Sequence, residues 1–225
     1  NVAVGYGAHD AFTSAEHNVA VGIASLGNAT TGYYNVAIGS HAGLGITTGV
    51  ENVAIGRATL YQNSTGIRNT AVGYAAANYG TAGSDITSIG ADAGTYATGS
   101  YNTFVGSHAG KGGTTSAPYS SGQYNTAVGY LALSGFTTGG GNVAIGNHAG
   151  TAITTTGDTV LIGGSAGNDI NSTDANGTVL IGSQAGKYIT SGQGNVAVGF
   201  NALTNEDDGD YNTAVGYQAL TAQTG

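Results

Sequence analysis

The chain has 225 residues, only 7% of them charged, and its 12 acidic and 4 basic side chains give a net charge of −8. An acidic chain with so few cations is a poor partner for nucleic acid or an anionic membrane, and we expect neither. The absence of cysteine excludes a disulfide framework and a cysteine metal site. No apolar run approaches the roughly 20 residues of a membrane-spanning helix, so we expect no membrane insertion by this segment.

A short phrase, N-[VT]-A-[VI]-G in most copies, recurs along the whole chain. It occurs thirteen times, and nine of the twelve intervals between successive copies are 17 residues long. Its final glycines are Gly5, Gly22, Gly39, Gly56, Gly73, Gly90, Gly106, Gly129, Gly146, Gly163, Gly182, Gly199 and Gly216. A fixed short period is the signature of a repeat architecture. We number the positions of each repeat from 1 to 17, with this glycine at position 5, and predict one continuous array over residues 1–225.

Each repeat opens with a short predicted strand. Position 2 is Val or Thr and position 4 is Val or Ile in every copy, and such β-branched residues favour strands. Side chains alternate along a strand, so positions 2 and 4 share one face. We predict that position 4 forms the structural core. Its residues are Val4, Val21, Ile38, Ile55, Val72, Ile89, Val105, Val128, Ile145, Ile162, Ile181, Val198 and Val215.

The rest of the repeat predicts corners and turns. The position 5 glycine follows the strand, Ala dominates position 8, a second apolar residue often falls near position 12, and a glycine ends the turn near position 15. Glycine costs about 1 kcal/mol at a helical site, and helical repeats are about 33 to 47 residues long. The pattern therefore predicts an all-β fold, a parallel β-solenoid or β-roll of about 13 coils. Asn at position 1 of most repeats is expected to stabilise turns and to form hydrogen bonds from coil to coil.

A coil of 17 residues encloses few large side chains. Burial at about 25 cal/mol per Å² is small against an ordering cost of about 1–2 kcal/mol per residue. Small residues at positions 3 and 8 would let a second backbone approach closely. We therefore expect several chains to pack along one axis, intertwined or side by side, and a flat monomeric solenoid is the alternative.

The phrase N-T-A-V-G-Y-x-A-L, present at 125–133 and 212–220, resembles the repeats of phage tail-fibre proteins and of bacterial "tail fiber domain" surface proteins. The V-A-I-G core is also similar to the head repeats of YadA-like trimeric autotransporter adhesins, which have a shorter period. The resemblance implies a left-handed homotrimeric β-roll, extracellular, on a virion tail fibre or a bacterial surface. It implies attachment to a cell-surface glycan or protein receptor. We expect the chain to be a segment of a longer fibre.

Three histidines share position 7 of their repeats: His41, His108 and His148. In a trimer each would meet its symmetry mates, and three imidazoles are a plausible Zn²⁺ or Ni²⁺ site if position 7 faces the axis. Position 7 also holds Gly, Ala, Asp, Leu, Gln and Asn in other repeats, which is typical of a surface position. No pair of carboxylates or nucleophile motif stands out, so we predict no enzyme activity and no cofactor.

One interval, from Gly106 to Gly129, is 23 residues long. Insertions in solenoids project as loops, often on the binding face. We predict a longer loop over 111–124, with Lys111, Tyr119 and Tyr124 as a possible receptor contact, the alternative being a solvent-exposed loop without function.

Two hypotheses for function follow. The first is a structural and adhesive segment of an oligomeric extracellular fibre. The alternative is a monomeric ligand-binding solenoid such as an ice-binding protein, which the low charge and the Thr-rich turns favour.

Overall fold

Each repeat forms one turn of a parallel β-solenoid in the computed structural model, which describes residues 1–80, 82–113, 119–205 and 207–221. The predicted all-β solenoid is therefore confirmed. Contacts group the chain into two units, Asn1–His108 and Ala109–Gly225, and each unit is described separately.

The described part of the first unit contains seven strands of three residues. Each pairs in parallel with the next strand along the chain, and equivalent repeat positions stand opposite each other, such as Val36 and Val53. The strands are β1 (Val2–Val4), β2 (Val19–Val21), β3 (Val36–Ile38), β4 (Val53–Ile55), β5 (Thr70–Val72), β6 (Thr87–Ile89) and β7 (Thr103–Val105).

The second unit repeats the design with six strands among its described residues. They are β8 (Thr126–Val128), β9 (Val143–Ile145), β10 (Val160–Ile162), β11 (Val179–Ile181), β12 (Val196–Val198) and β13 (Thr213–Val215). The pairing is again parallel and in register. The 19-residue repeat between β10 and β11 places its extra residues in one turn of 3-10 helix, Thr173–Ala175, capped by the Ser172 side chain.

From the second coil onward, position 3 of the strand lines the interior of the coil. Ala37 and Ala144 have no exposed surface, and neither do the larger Phe104 and Leu161 at the same position. The prediction that position 4 forms the core is wrong, because the strand turns positions 2 and 4 outward. All thirteen position 4 residues are exposed or half-buried: Val4, Val21, Ile38, Ile55, Val72, Ile89, Val105, Val128, Ile145, Ile162, Ile181, Val198 and Val215.

The small residues at positions 3 and 8 have a different role from the predicted one. Ala37 and Ala42 are completely buried within their own coil. They therefore let the walls of one coil approach each other, and do not provide a contact surface for a second chain.

Large and small residues compensate inside the coil. Position 9 is Leu26 in the second repeat and Gly43 in the third, where the room is filled by Ile46. A Cβ built on Gly43 would lie 3.0 Å from Leu26 Cδ2 and 3.1 Å from Ile46 Cδ1. The volume within each layer is thus shared between positions 9 and 12, as close packing requires.

The position 1 asparagines form the predicted hydrogen-bonded ladder. In the fourth coil, Asn52 Nδ2 donates to Gly66 O at 2.9 Å, and Asn52 Oδ1 accepts from the Asn69 backbone N–H at 3.0 Å. Ile86 interrupts the ladder in the sixth coil. There Asn102 Nδ2, from the following coil, donates to Gly99 O at 2.8 Å, so this turn carbonyl still has a hydrogen-bond donor.

The position 5 glycine is required by its backbone. Gly39 has φ of +131°, and a Cβ there would lie 2.7 Å from the carbonyl carbon of Gly56 in the next coil. Only glycine adopts this conformation at such close approach, which explains why the residue recurs in every repeat.

Candidate functional site

Each unit presents a surface formed by the outward side chains of positions 2 and 4, which we call the outer strand face. In the first unit it comprises the position 4 residues of β1–β7 together with Val2, Val19, Val36, Val53, Thr70, Thr87 and Thr103. In the second it comprises those of β8–β13 together with Thr126, Val143, Val160, Val179, Val196 and Thr213. Every one of these side chains is Val, Ile or Thr.

The outer strand face remains partly exposed even though neighbouring coils cover part of each side chain. Ile38, Ile55 and Ile89 are 41%, 37% and 40% exposed, and Ile145 is comparable. Full burial of an aliphatic side chain is worth about 1.5–3 kcal/mol, so covering this remainder contributes roughly 1 kcal/mol per isoleucine. With no ionisable group, the face can exclude water with a partner but can perform no proton transfer.

Aromatic residues stand at position 6, one residue beyond the glycine that follows the strand, and at the last position of the repeat, two residues before the next strand. Tyr6, Tyr74, Tyr101 and Tyr211 are among those exposed by half or more. These rings therefore keep large parts of their surface in solvent, even where they pack against the glycine corners. An exposed ring with a polar end suits contact with a sugar or a partner chain.

The three histidines of position 7 have left-handed backbone and are half-buried. His41 Nδ1 lies 2.7 Å from Ser40 Oγ, and His108 Nδ1 lies 2.8 Å from Ser107 Oγ. His148 packs edge-on against Tyr130. Within one chain, the described residues contain no group of three or more His, Cys, Asp or Glu that could hold a metal ion. A metal site shared between chains stays a prediction.

The predicted receptor contact falls on a loop that is described only in part. Lys111 and Tyr119 are half-buried, whereas Tyr124 is 63% exposed and has φ of +59° at position 17. Residues 114–118 lie outside the described part of the chain. The joint contact of Lys111, Tyr119 and Tyr124 with a receptor therefore stays a prediction.

Several acidic residues serve the turns. Asp210 Oδ1 accepts from the Gln193 backbone N–H at 2.7 Å, and Asp207 Oδ1 accepts from Thr190 Oγ1. The Arg68 guanidinium makes two hydrogen bonds to Asp85 and holds the pKa of that carboxyl below its usual range. These contacts link successive coils, so they are structural.

The turn threonines divide into two sets. At position 13, Thr30 Oγ1 and Thr47 Oγ1 each donate to the carbonyl of position 13 in the next coil, at 3.2 and 3.0 Å. At position 14, Thr31, Thr48 and Thr65 are exposed in three successive coils. Only the second set presents a regular row of threonines to solvent.

Sequence reasoning identified the residues of the outer strand face but assigned position 4 to the interior. It also passed over Arg57, Tyr61 and Tyr79, which line a cavity in the first unit. The only sequence pattern that marks this place is a pair of alanines, Ala58 and Ala75, at position 7 of successive repeats.

No helix among the described residues is long and apolar enough to cross a membrane. Comparison of the chain with protein-family models, with curated proteins and with solved structures finds no match.

Proposed function

We propose that this chain is a non-enzymatic structural segment of an extracellular homotrimeric fibre that supports attachment to a host cell, as in a phage tail fibre or a bacterial surface adhesin. The observation that carries the proposal is the outer strand face, a strip of Val, Ile and Thr without a charged residue in each unit. Contiguous exposed apolar patches beyond about 300–600 Å² are rare on soluble monomers and mark interaction sites.

A second copy of the chain is the partner that fits this strip best. A partner must offer apolar side chains at the strand spacing of about 4.8 Å over several successive coils. Another copy has the same side chains at the same spacing, and closed cyclic symmetry is the usual arrangement of homo-oligomers. The trimer number, the left-handed coil and the extracellular setting are supported by the resemblance of the repeats.

The test is the mass in solution, measured by light scattering after size exclusion. We expect three times the mass of one chain. Ile55→Asp places a charge in the middle of the outer strand face, where desolvating it in an interface is costly, and should release single chains that keep the β circular dichroism spectrum. Thr48→Asp adds the same charge at an exposed turn and should leave the mass unchanged. A single-chain mass for the unmodified protein would refute the proposal.

A second candidate is a monomeric ice-binding solenoid. The exposed row Thr31, Thr48 and Thr65 favours it, since these hydroxyls repeat at the coil spacing. A thermal hysteresis assay separates the two functions: a monomer with hysteresis supports ice binding, and a trimer without it supports the fibre.

A further inference from the structure

A cavity of about 270 Å³ opens on the surface of the first unit, at the corner that follows the strands of the third to fifth coils. Its volume suits one sugar ring with its substituents and is too small for a folded partner. The residues that line it are His41, Arg57, Ala58, Tyr61, Asn78 and Tyr79.

A small side chain at position 7, Ala58, lines the cavity, and the next coil also carries alanine at this position. Ala58 and Ala75 stand between the larger His41 and Asp92, which occupy the same position in the coils on either side. Leu131 occupies position 7 in another repeat, with φ of +58° against +57° at Ala58. The backbone of this corner thus accepts a large side chain, and the opening results from the small side chains rather than from a different fold.

Arg57 supplies a cation at the cavity. Its guanidinium lies 5.5 Å from the centroid of the Tyr74 ring. Among the described residues, no ion pair joins Arg57 to a carboxylate, although the chain has three times as many acidic as basic residues. Arg68, by contrast, is held by Asp85. Arg57 is therefore available to a ligand anion, and a guanidinium binds carboxylates with two parallel hydrogen bonds.

The walls combine aromatic rings with polar groups. The Tyr61 ring lies 6.2 Å from the His41 ring, and Tyr79 stacks on Tyr96 at 5.2 Å with a 20° interplanar angle. Ser40 Oγ engages His41 Nδ1, so Nε2 is the ring nitrogen that remains for a ligand.

Asn78 adds a buried amide to the wall. Its side chain is only 9% exposed, and its Nδ2 donates to Ala58 O at 3.0 Å. Its Oδ1 has no hydrogen-bond partner among the described residues. A buried acceptor left unpaired costs about 1–3 kcal/mol.

We infer that this cavity binds a carboxylate-bearing sugar, such as a uronic or sialic acid unit of a glycan. The carboxylate pairs with Arg57, the apolar face of the sugar ring packs on a tyrosine ring, and a hydroxyl meets His41 Nε2. A neutral sugar leaves Arg57 without a partner, and a simple inorganic anion leaves the tyrosine walls unused. The combination of groups therefore selects the acidic sugar over both.

The test measures binding of D-glucuronate and of N-acetylneuraminate by saturation-transfer NMR and by calorimetric titration. We expect at least one of them to bind with a Kd in the millimolar range, about −4 kcal/mol. Arg57→Gln should weaken that binding at least about tenfold, by loss of a charge-assisted bidentate contact. Ala58→Leu should abolish it by filling the cavity with a residue that the same position accepts elsewhere. Lys187→Gln removes a cation in the other unit and should change nothing.

Three results would overturn the inference: no saturation transfer to either acidic sugar, equal binding of D-glucose, or inorganic phosphate binding as tightly as the acidic sugar. The cavity lies within one chain, and none of the residues that line it belongs to the outer strand face, so the inference does not require a trimer. A monomer that binds glucuronate would refute the proposed fibre and support the sugar site. A trimer that binds neither acidic sugar would support the fibre and refute the sugar site.

Discussion

Replacing Asn52 by leucine tests whether the asparagine ladder stabilises the solenoid. Leucine has nearly the same shape but neither donates nor accepts. Gly66 O and the Asn69 N–H would each lose the partner seen at 2.9 and 3.0 Å, and both residues are buried. Each buried group left unpaired costs about 1–3 kcal/mol, so we expect a loss of about 2–6 kcal/mol in the free energy of unfolding. That is a large share of the roughly 5–15 kcal/mol typical of a domain.

The assay is urea denaturation followed by far-ultraviolet circular dichroism. Asn28→Leu is the matched control, because Asn28 is exposed and should change stability by less than about 0.5 kcal/mol. The free energy of unfolding of Asn52→Thr should lie between those of the two leucine variants. Threonine already occupies position 1 of another repeat, where the Thr159 hydroxyl donates to the Asn142 side chain at 2.8 Å. An Asn52→Leu protein as stable as the Asn28→Leu control would show that the ladder contributes nothing.

Three further predictions concern the corners, the first coil and the core. Gly39→Ala should destabilise the protein by more than about 3 kcal/mol or prevent folding, because the added Cβ would lie 2.7 Å from the next coil. Gly164→Ala is the control: its Cβ would have no neighbour closer than 3.9 Å, so the midpoint of thermal unfolding should hardly change. Burial lowers the pKa of His9, so the unfolded chain binds more protons than the folded one, and the free energy of unfolding should fall as pH drops through about 6.5. His9→Leu should weaken this pH dependence, and a variant with the same stability profile against pH as the unmodified protein would show that His9 does not cause it. Gly43→Leu with Ile46→Ala copies the Leu26 and Ala29 pair of the second coil, so the double variant should lose at least about 1 kcal/mol less than the two single variants together, and simple additivity would refute the shared-volume argument.

The fold followed from the sequence because the repeat carries its own geometry. A 17-residue period with glycine at position 5 excludes helical repeats, and like positions must stack when each coil extends the last. The pairing of Val36 with Val53 and the hydrogen bonds of Asn52 were both predictable on this basis. A ladder of this kind needs only that equivalent residues stand one coil apart.

The direction of the strand side chains was not predictable in the same way. Alternation places position 3 on one face and positions 2 and 4 on the other, but it does not say which face is inside. The usual preference for burying large aliphatic residues pointed to Ile38 and Ile55, and it failed. A coil of this size has space for only one inward side chain per strand, and the alanines fit there. Phe104 enters only where Gly94 and the paired Ser88 of the preceding coil leave room, because a Cβ built on Gly94 would lie 2.8 Å from Phe104 Cδ2.

The same packing explains where a ligand site can develop in this fold. Positions 1, 5 and 8 lie against the neighbouring coils, and their residues vary little along the chain. Position 7 varies freely because its side chain leaves the coil at a corner, and there a small residue such as Ala58 can line a cavity without disturbing the stack. Positions 2 and 4 vary only among Val, Ile and Thr, although solvent reaches them. Strand formation already favours β-branched residues at these positions, and a second chain over this face, as proposed above, would restrict them in the same direction by excluding charged side chains from the contact.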